Sequence, residues 1–363
     1  MMKGFWGFKD MLQKKEEKNT VLADTSFITT VYNEEDSIVK FLESLRGQTQ
    51  LPSEIIIVDG GSRDRTFEMI GEFFKDWSRQ KRGDKIKIHI NNDKVSPNRS
   101  SVAVALIRKE GAGISLGRNT AIMKASGSFI SVSDAGCILD PHWIEEINSE
   151  RSKDSHQITG GMNYAVAGSF LQRMLAVCIM PGLDELRKDR FMPSSRNICF
   201  AKADWKKIGG YPEDLDYGED MKFNFNLKEK GYRLRLNPRA VVYWKMRKDM
   251  NGIFRQFFRY AKGDALGRMY PVRHLVRFLS GFVFTAIILM GIFISPWIFL
   301  ALTILAAAYS YKAYYRMLYR WKGNEGCKLS GISILPAILC VPLLLLYIDT
   351  AKVSGYLYGI FKR

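Results

Sequence analysis

The chain of 363 residues is poor in cysteine and histidine, with five of the first and four of the second. The cysteines are widely separated and show neither a CxxC pair nor the Cys/His spacing of zinc ligands. We therefore expect no structural zinc site, and reduced, packed cysteines, which suit a catalytic portion in the cytosol. The five are Cys137, Cys178, Cys199, Cys327 and Cys340.

The first residues lack the continuous apolar run of a signal peptide. Residues 1–18 instead mix Phe5, Trp6 and Phe8 with many lysines. Two interpretations of residues 1–24 stay open, an amphipathic segment at a membrane interface and a polar tail.

Acidic residues are few, since 37 Asp and Glu stand against 54 Lys and Arg, a formal charge of +17. This balance favours a polyanionic partner, either nucleic acid or an anionic bilayer. No nucleic-acid-binding motif is present, and the strongly apolar sequence is concentrated after His274. We therefore expect a lipid bilayer as partner and no nucleic acid.

Short β-like runs alternate with helical stretches from residue 25 to about residue 240. Residues 54–58 form a continuous apolar run, which is typical of a strand buried on both faces of a parallel sheet. This alternation predicts a layered α/β domain. The other predicted strands are 26–31, 85–90 and 129–132, and the predicted helices are 36–46, 66–77, 118–125 and 141–148.

Apolar sequence dominates the C-terminal part. Residues 278–294 carry no charge, Ser295 and Pro296 interrupt the run, and residues 296–311 continue it. As one helix the two pieces would reach about 50 Å, beyond a hydrocarbon core of about 30 Å, so we predict two spans joined by a turn. Residues 331–349 are predicted as a third span, although a segment that enters and returns on the same side stays open.

Basic residues decide the expected orientation. They cluster between residues 312 and 328, which places that stretch on the cytoplasmic side with the catalytic domain. We expect a multi-pass protein of the cell membrane with a cytoplasmic domain. Residues 251–277 are predicted to be amphipathic and interfacial, and residues 171–181 are a second such candidate unless they pack on the domain.

Polar clusters follow the predicted strands, where open parallel sheets bind their ligands. Asp59 can accept hydrogen bonds from a base or a ribose, and the ring of Tyr32 can stack on a base. Asp134 can hold a divalent cation against a diphosphate, and Arg118 and Arg259 can bind phosphate oxygens. Asp220 can remove a proton from an acceptor hydroxyl.

Five ordered stretches resemble family 2 glycosyltransferases of the GT-A fold over about residues 25–264. They are TTVYNEEDSI, EIIIVDGGSRDRT, GRNTAIMKASGSFISVSDAGCILDPHW, GGYPEDLDYGEDMKFNFNLKEKGYRL and RQFFRYAKGD. The resemblance implies a mostly parallel sheet flanked by helices in a catalytic domain at residues 25–250, followed by membrane helices within residues 278–363. It implies inverting transfer from a nucleotide-diphospho-sugar, a UDP- or GDP-sugar, usually with Mg²⁺ or Mn²⁺.

The resemblance also assigns roles to residues. Asp220, paired with Glu219, corresponds to the general base, and Asp134 to the first aspartate of the DxD metal motif. The QxxRY residues Gln256, Arg259 and Tyr260 are expected near the diphosphate and the acceptor. Residues 191–197 resemble an acceptor-side loop, where Arg196 either contacts phosphate or forms a structural ion pair. The expected donor-binding residues are Thr30, Tyr32, Asn33, Glu34, Asp59, Gly61, Arg118, Asn119, Asp134 and Ala135.

Two departures from the family pattern affect these assignments. The usual DDGS is here DGGS, so Gly60 brings no second carboxylate. The DxD motif reads Asp134-Ala135-Gly136, so glycine stands where the usual second aspartate would bind metal. Metal dependence is therefore open, with arginines at 118 and 259 as the alternative partners of the leaving diphosphate.

The leading hypothesis is transfer of a sugar to a lipid-linked saccharide or a polyprenyl phosphate at the cytoplasmic membrane face, in cell-surface glycan or exopolysaccharide synthesis. A processive polysaccharide synthase is the second, although two or three spans are few for a polymer channel. A membrane scaffold that binds nucleotide sugars without catalysis is the third, because of the altered DxD motif.

Overall fold

The computed structural model describes residues 22–79, 86–90, 101–150, 157–321 and 334–363. The amphipathic segment expected at residues 1–24 therefore lies almost entirely outside the described residues. Cys327 and the later part of the basic stretch also lie outside them.

Nine strands form one mixed sheet in the described part of the chain, in the order β3-β4-β2-β1-β5-β8-β7-β9-β6. The half from β3 to β5 is parallel, as predicted, whereas β8 is antiparallel to both of its neighbours and β6 to β9. The strands are β1 (Leu22–Val31), β2 (Leu51–Asp59), β3 (Ile86–Ile90), β4 (Val102–Arg108), β5 (Phe129–Val132), β6 (Cys137–Leu139), β7 (Gln157–Val166), β8 (Ile198–Ala201) and β9 (Arg233–Lys245).

Helices flank the sheet and then continue beyond it. Short 3₁₀ turns stand at Leu183–Glu185 and Lys188–Arg190. The helices are α1 (Ile38–Arg46), α2 (Thr66–Arg79), α3 (Ile114–Lys124), α4 (Trp143–Asn148), α5 (Phe170–Ile179), α6 (Lys202–Lys207), α7 (Glu219–Glu229), α8 (Met250–Leu266), α9 (Pro271–Phe293), α10 (Ile298–Trp321) and α11 (Ile334–Phe361).

The apolar run of β2 contributes to both faces of the sheet. Ile55 and Ile57 belong to one buried cluster, and Ile56 and Val58 to the other. Side chains alternate in direction along a strand, so a continuous apolar run is what two covered faces require. The predicted helices and strands of residues 26–148 are confirmed within a few residues of their ends.

A third buried cluster joins the domain to the C-terminal helices. Met174 of α5 and Phe257 of α8 pack there with Met317 of α10 and with Val341 and Ile348 of α11. The helices α9, α10 and α11 are each long and apolar enough to cross a membrane. A turn at residues 294–297 joins α9 to α10, where the sequence predicted one.

Candidate active site

The ends of β1 and β2 carry the first two polar loops and lie side by side. Val31 is paired with Asp59 in the parallel register. The loops are joined by hydrogen bonds from the Asn33 amide to the Ser62 hydroxyl, 2.9 Å, and from the Arg63 amide to the Asn33 side-chain oxygen, 2.8 Å. Asn33 takes a left-handed conformation, φ 53°, which asparagine tolerates better than most residues. The two loops therefore form one platform.

Asp59 is the centre of this platform. Its Oδ1 accepts hydrogen bonds from the amides of Gly61 and Ser62, both 2.8 Å. The side chain is fully buried, and its Oδ2 has no hydrogen-bond partner within the described part of the chain. An unpaired buried carboxylate oxygen costs about 1–3 kcal/mol or more. At the edge of the sheet where ligands bind, this oxygen offers a free acceptor to a ligand donor. Gly61 at φ +93° accommodates the turn without a side chain.

Three further residues of the expected donor wall follow from β1. Tyr32 follows Val31, the register partner of Asp59, and exposes 54% of its surface, so its ring is free to stack on a ligand. Thr30 packs against α3, where a Cβ at Gly117 would approach its methyl to 2.7 Å. Burial raises the pKa of Glu34, against the hydrogen bond from Ser37 and the charge of Arg247.

Arg118 of α3 bridges two parts of the site. It donates to Asp134 after β5, 2.8 Å, and to Glu219 at the start of α7, 2.7 Å. Its side chain is 2% exposed and stands over the Tyr211 ring. Burial alone would lower the pKa of Arg118, but the two carboxylates raise it above its ordinary value. Both ends of the guanidinium are therefore committed to carboxylates.

Asp220 lies beside this bridge. The hydroxyl of Ser194 donates to its Oδ2, 3.3 Å, from the loop at residues 191–197 that the sequence analysis associated with the acceptor. Glu219 next to it is buried, and both burial and the charge of Asp220 raise the pKa of Glu219, which Arg118 opposes. Asp220 is the more exposed of the two carboxylates.

Arg196 connects the same loop to the donor side. Its Nε lies 3.8 Å from Oδ2 of Asp134, and its guanidinium stacks on Trp244 with 3.9 Å to the ring centroid. Burial raises the pKa of Tyr260, and the nearby charge of Arg196 opposes that shift. The predicted residues Asp134, Arg196 and Tyr260 therefore meet in one place.

The QxxRY motif lies on α8. The Oε1 of Gln256 accepts from Arg247, 2.9 Å, and its amide donates to Tyr260, 3.3 Å. Arg259 is exposed, and its guanidinium stands 5.3 Å from the ring of Tyr217, two residues before Glu219. The motif thus borders the loop that leads into α7, which carries Glu219 and Asp220.

Asn119 and Ala135 face inward. The Asn119 amide donates to the Tyr211 carbonyl and to Glu213, both 2.8 Å, and its oxygen accepts from Trp205 and from the Tyr211 amide. The polar atoms of Asn119 therefore hold the loop before α7. Ala135 is buried, with 3% of its surface exposed. Their donor contacts stay predictions.

The fit to a metal ion depends on Asp134 and Glu34. The described residues contain no group of three or more His, Cys, Asp or Glu that could hold a metal. However, a Cβ built on Gly136 would lie 3.9 Å from each carboxylate oxygen of Glu34. Glu34 thus brings a carboxylate next to the position where the motif lacks one. Carboxylate oxygens suit Mg²⁺ and Mn²⁺, and two of them fit an ion that a ligand's own oxygens also bind.

Sequence reasoning did not identify four residues that shape the site. Tyr211 belongs to one of the five quoted stretches, but none of the four was given a role, because most of their contacts join parts of the chain that lie far apart in sequence. They are Ser194, Tyr211, Trp244 and Arg247.

Comparison with known families agrees with this geometry. The family described as Glycosyl transferase family 2 matches residues 26–203, and Glycosyl transferase family group 2 matches residues 129–315, more than half of the chain. The chain belongs to glycosyltransferase family 2.

Similar proteins are glycosyltransferases. Glycosyltransferase AglE of Haloferax volcanii is 25% identical over 250 residues, which are 68% of this chain and 74% of that protein. The poly-beta-1,6-N-acetyl-D-glucosamine synthase of Staphylococcus aureus is 24% identical over 262 residues, 69% of this chain. This glycosyltransferase spans only 57% of the length of the synthase.

A solved structure shares the overall fold. The mannosyltransferase PcManGT of Pyrobaculum calidifontis, in complex with GDP-Man and Mn²⁺, has a TM-score of 0.51 and 15% identity. The match covers 98% of this chain and 91% of that one. The likeness supports a GT-A fold followed by membrane-type helices.

Proposed function

We propose that this glycosyltransferase moves a sugar, with inversion, from a nucleotide-diphospho-sugar to a lipid-linked saccharide or a polyprenyl phosphate at the cytoplasmic membrane face. Family membership supports the reaction class. The observation that carries the donor assignment is the buried, unpaired Oδ2 of Asp59, next to the exposed ring of Tyr32. An N–H group of a nucleobase satisfies that oxygen, and the ring stacks on the base.

The diphosphate of the donor would extend from this platform toward Asp134. Asp134 and Glu34 would hold a divalent cation together with the diphosphate, and the PcManGT complex contains Mn²⁺. When bound, such an ion supplies positive charge against the leaving diphosphate. Arg196 contributes positive charge at the same place, whereas Arg118 orients Asp134 through a hydrogen bond of 2.8 Å.

Asp220 is the proposed general base. It borders the acceptor loop, accepts a hydrogen bond from Ser194, and is one residue from the buried Glu219. A carboxylate there can take the acceptor proton while the acceptor oxygen attacks the anomeric carbon from the side opposite the leaving group. One displacement of this kind inverts the configuration.

The lipid character of the acceptor is proposed from the position of α8. This helix carries Gln256 and Tyr260 into the site and packs against α11 on its other side. The site is thus one helix away from an apolar surface. A processive synthase remains a second candidate because of the similarity to the polysaccharide synthase, and product length on a labelled acceptor separates the two.

The first test is nucleotide binding by calorimetry on detergent-purified protein, with UDP and GDP, each with and without Mn²⁺. Asp59→Asn is the informative variant, because its side-chain oxygen keeps the two loop bonds while its amide replaces the free acceptor. We expect about tenfold to a hundredfold weaker binding.

Asp204→Asn is the matched control. Asp204 is also a buried aspartate with one oxygen unpaired in the described structure, but it lies on α6, bonded to Tyr232. It should bind nucleotide like the wild type. Binding of neither nucleotide to the wild type would contradict the proposal, and binding without any sugar transfer would favour the scaffold. Nucleotide binding that does not depend on Mn²⁺ would indicate that arginines, and not a metal ion, neutralise the charge of the leaving diphosphate.

A further inference from the structure

We infer that α11 lies in the plane of the membrane interface, as the membrane-facing floor of the catalytic domain, and does not cross the bilayer. The inference rests on the proposed membrane location. The length and composition of α11 would allow it to cross a membrane, but the contacts along the helix favour the in-plane position.

The C-terminal half of α11 is packed along α8. A Cβ at Gly355 would overlap the carbonyl of Phe258, and one at Gly359 would lie 2.8 Å from the carbonyl of Lys262. The rings of Phe258 and Tyr358 are 5.6 Å apart. Backbones this close require glycine, so the two helices are held together.

The N-terminal half of α11 contacts the domain as well. The carbonyl of Val341 lies 4.0 Å from the sulfur of Cys178 on α5. Further along, the hydroxyl of Tyr347 donates to the carbonyl of Met250 at the start of α8, 3.2 Å. The helix therefore contacts the domain near both of its ends.

The spacing of these contacts argues against a span. Val341 and Gly359 are about 27 Å apart along a helix, almost the thickness of a hydrocarbon core. A helix perpendicular to the bilayer would carry one of them to the far side, away from the domain. Yet α8 is fixed to the domain at Gln256 by Arg247 and at Gly263 by the close approach of Tyr217.

Charged groups in the middle of α11 agree with a shallow position. Asp349 pairs with Arg277, 3.2 Å, near the domain-side end of α9, and accepts from Tyr309 of α10, 2.6 Å. Lys352 also lies 3.6 Å from Asp349. Charged side chains are costly in the bilayer centre and favourable near the interface.

The two faces of α11 differ in their surroundings. At 100° per residue the exposed leucines fall on one side and the residues packed against the domain on the opposite side. The exposed face of α11 is apolar, as are the exposed faces of α9 and α10. A bilayer therefore covers it, as it covers the other two helices. Six exposed residues share this side, Leu335, Leu339, Leu343, Leu346, Leu357 and Phe361, and further exposed apolar residues lie toward its edges; the buried residues opposite are Ala337, Val341, Leu344, Ile348, Ala351, Gly355 and Gly359.

Spin labels measure the depth directly. Single cysteines at Leu335→Cys, Leu346→Cys and Leu357→Cys would be labelled in a chain without native cysteines that still binds nucleotide, reconstituted in anionic vesicles. Collision with oxygen and with a nickel complex reports depth. We expect the three depths to agree within a few Å, whereas a span would separate the outer two by about 33 Å.

A tag after Arg363 gives an independent answer in sealed vesicles. We expect protease to remove it in the same vesicles in which the catalytic domain is accessible; a tag on the opposite side would overturn the inference. Depths that change steadily from the first label to the third would also overturn the inference. Labels that neither oxygen nor the nickel complex can reach would overturn it as well, because they would indicate that a second copy of the chain covers the helix. Labels fully accessible to water at all three positions would contradict the membrane location itself.

Discussion

Arg118 is the residue whose role changes most between sequence and structure. Its position in the motif implied a phosphate contact, but its guanidinium is shared by Asp134 and Glu219 and is almost fully buried. Its partners come 16 and 101 residues later in the chain. We propose that Arg118 aligns Asp134 with the pair Glu219 and Asp220. It acts on the reaction through these carboxylates.

The substitution Arg118→Lys tests this role. One ammonium group cannot reach both carboxylates in the forked geometry, so a buried charge loses its partner. We expect the unfolding free energy to fall by about 3 kcal/mol and transfer to fall at least tenfold. Thermal unfolding in detergent and initial rates measure the two effects. The control is Arg63→Lys, at an exposed position, and a similar loss there would refute the bridge.

Asp220→Asn is the test of the proposed base. The amide cannot accept the acceptor proton, so we expect the rate of transfer to fall by about 10²- to 10⁴-fold. Nucleotide affinity should change less than threefold, because the change lies outside the donor platform. Asp214→Asn, an exposed carboxylate of the same loop, should leave both quantities unchanged. Full turnover by Asp220→Asn would remove this residue as base.

Sequence reasoning works best for residues whose role follows from local order. Asp59 directly follows a buried strand, and the edge of a parallel sheet determines where its side chain lies. Asn119 belongs to a motif too, but its amide is occupied by Tyr211, Glu213 and Trp205. Such partners come from distant parts of the chain, so a motif predicts that the residue belongs to the site but does not predict its contacts.

At the scale of elements, α8 connects the acceptor side of the site to the membrane helices. A side chain at Gly263 would overlap the carbonyl of Tyr217, the residue before the left-handed Gly218 that starts α7. The helix therefore sets the position of the loop that carries Glu219 and Asp220. The QxxRY motif and the proposed base are parts of one packed unit.

The substitution Gly263→Ala should displace that loop. We expect transfer to fall at least tenfold, because a misplacement of about 1 Å can cost a hundredfold, while nucleotide binding is retained. Initial rates with calorimetry measure this. Gly71→Ala in α2, where a Cβ meets nothing within 4 Å, is the control and should be neutral or slightly stabilising. Unchanged activity in Gly263→Ala would mean that the loop adapts.

Four of the five strands in the parallel half of the sheet could be predicted, because each alternates with a helical stretch. The strand β4, which follows β3 with no predicted helix between them, was not predicted. The other half of the sheet could not be predicted. The strand β9 contains Arg233, Arg235, Asn237 and Pro238, and β6 has three residues, so neither shows a clear period. The pairing of β9 with β7, and of β6 with β9, depends on contacts that no local pattern records.

At the scale of the whole molecule, α11 completes the cluster that joins the domain to the hairpin of α9 and α10. Without it, the apolar side chains of Met174, Ile253 and Phe257 lose their cover. We expect a chain that ends at residue 333 to aggregate on size-exclusion chromatography in detergent and to lose transfer.

Trp297→Ser is the control for this truncation. Trp297 lies at the tip of the hairpin and is 78% exposed, so the change removes apolar surface without opening a buried cluster. It should leave the elution volume and nucleotide binding unchanged. A monodisperse, active truncated chain would show that α11 is dispensable for the domain.

The place of α11 in the chain also has a consequence for biosynthesis. The helix leaves the ribosome after all the other described elements, yet it covers α5, which was made about 160 residues earlier and emerged some 8–30 s before at typical elongation rates. During that interval α8 and α10 are present, but the part of the apolar face of α5 that α11 covers lacks its partner. The bilayer surface or a chaperone must shield it, so insertion of the hairpin at the membrane has to come before the domain is complete.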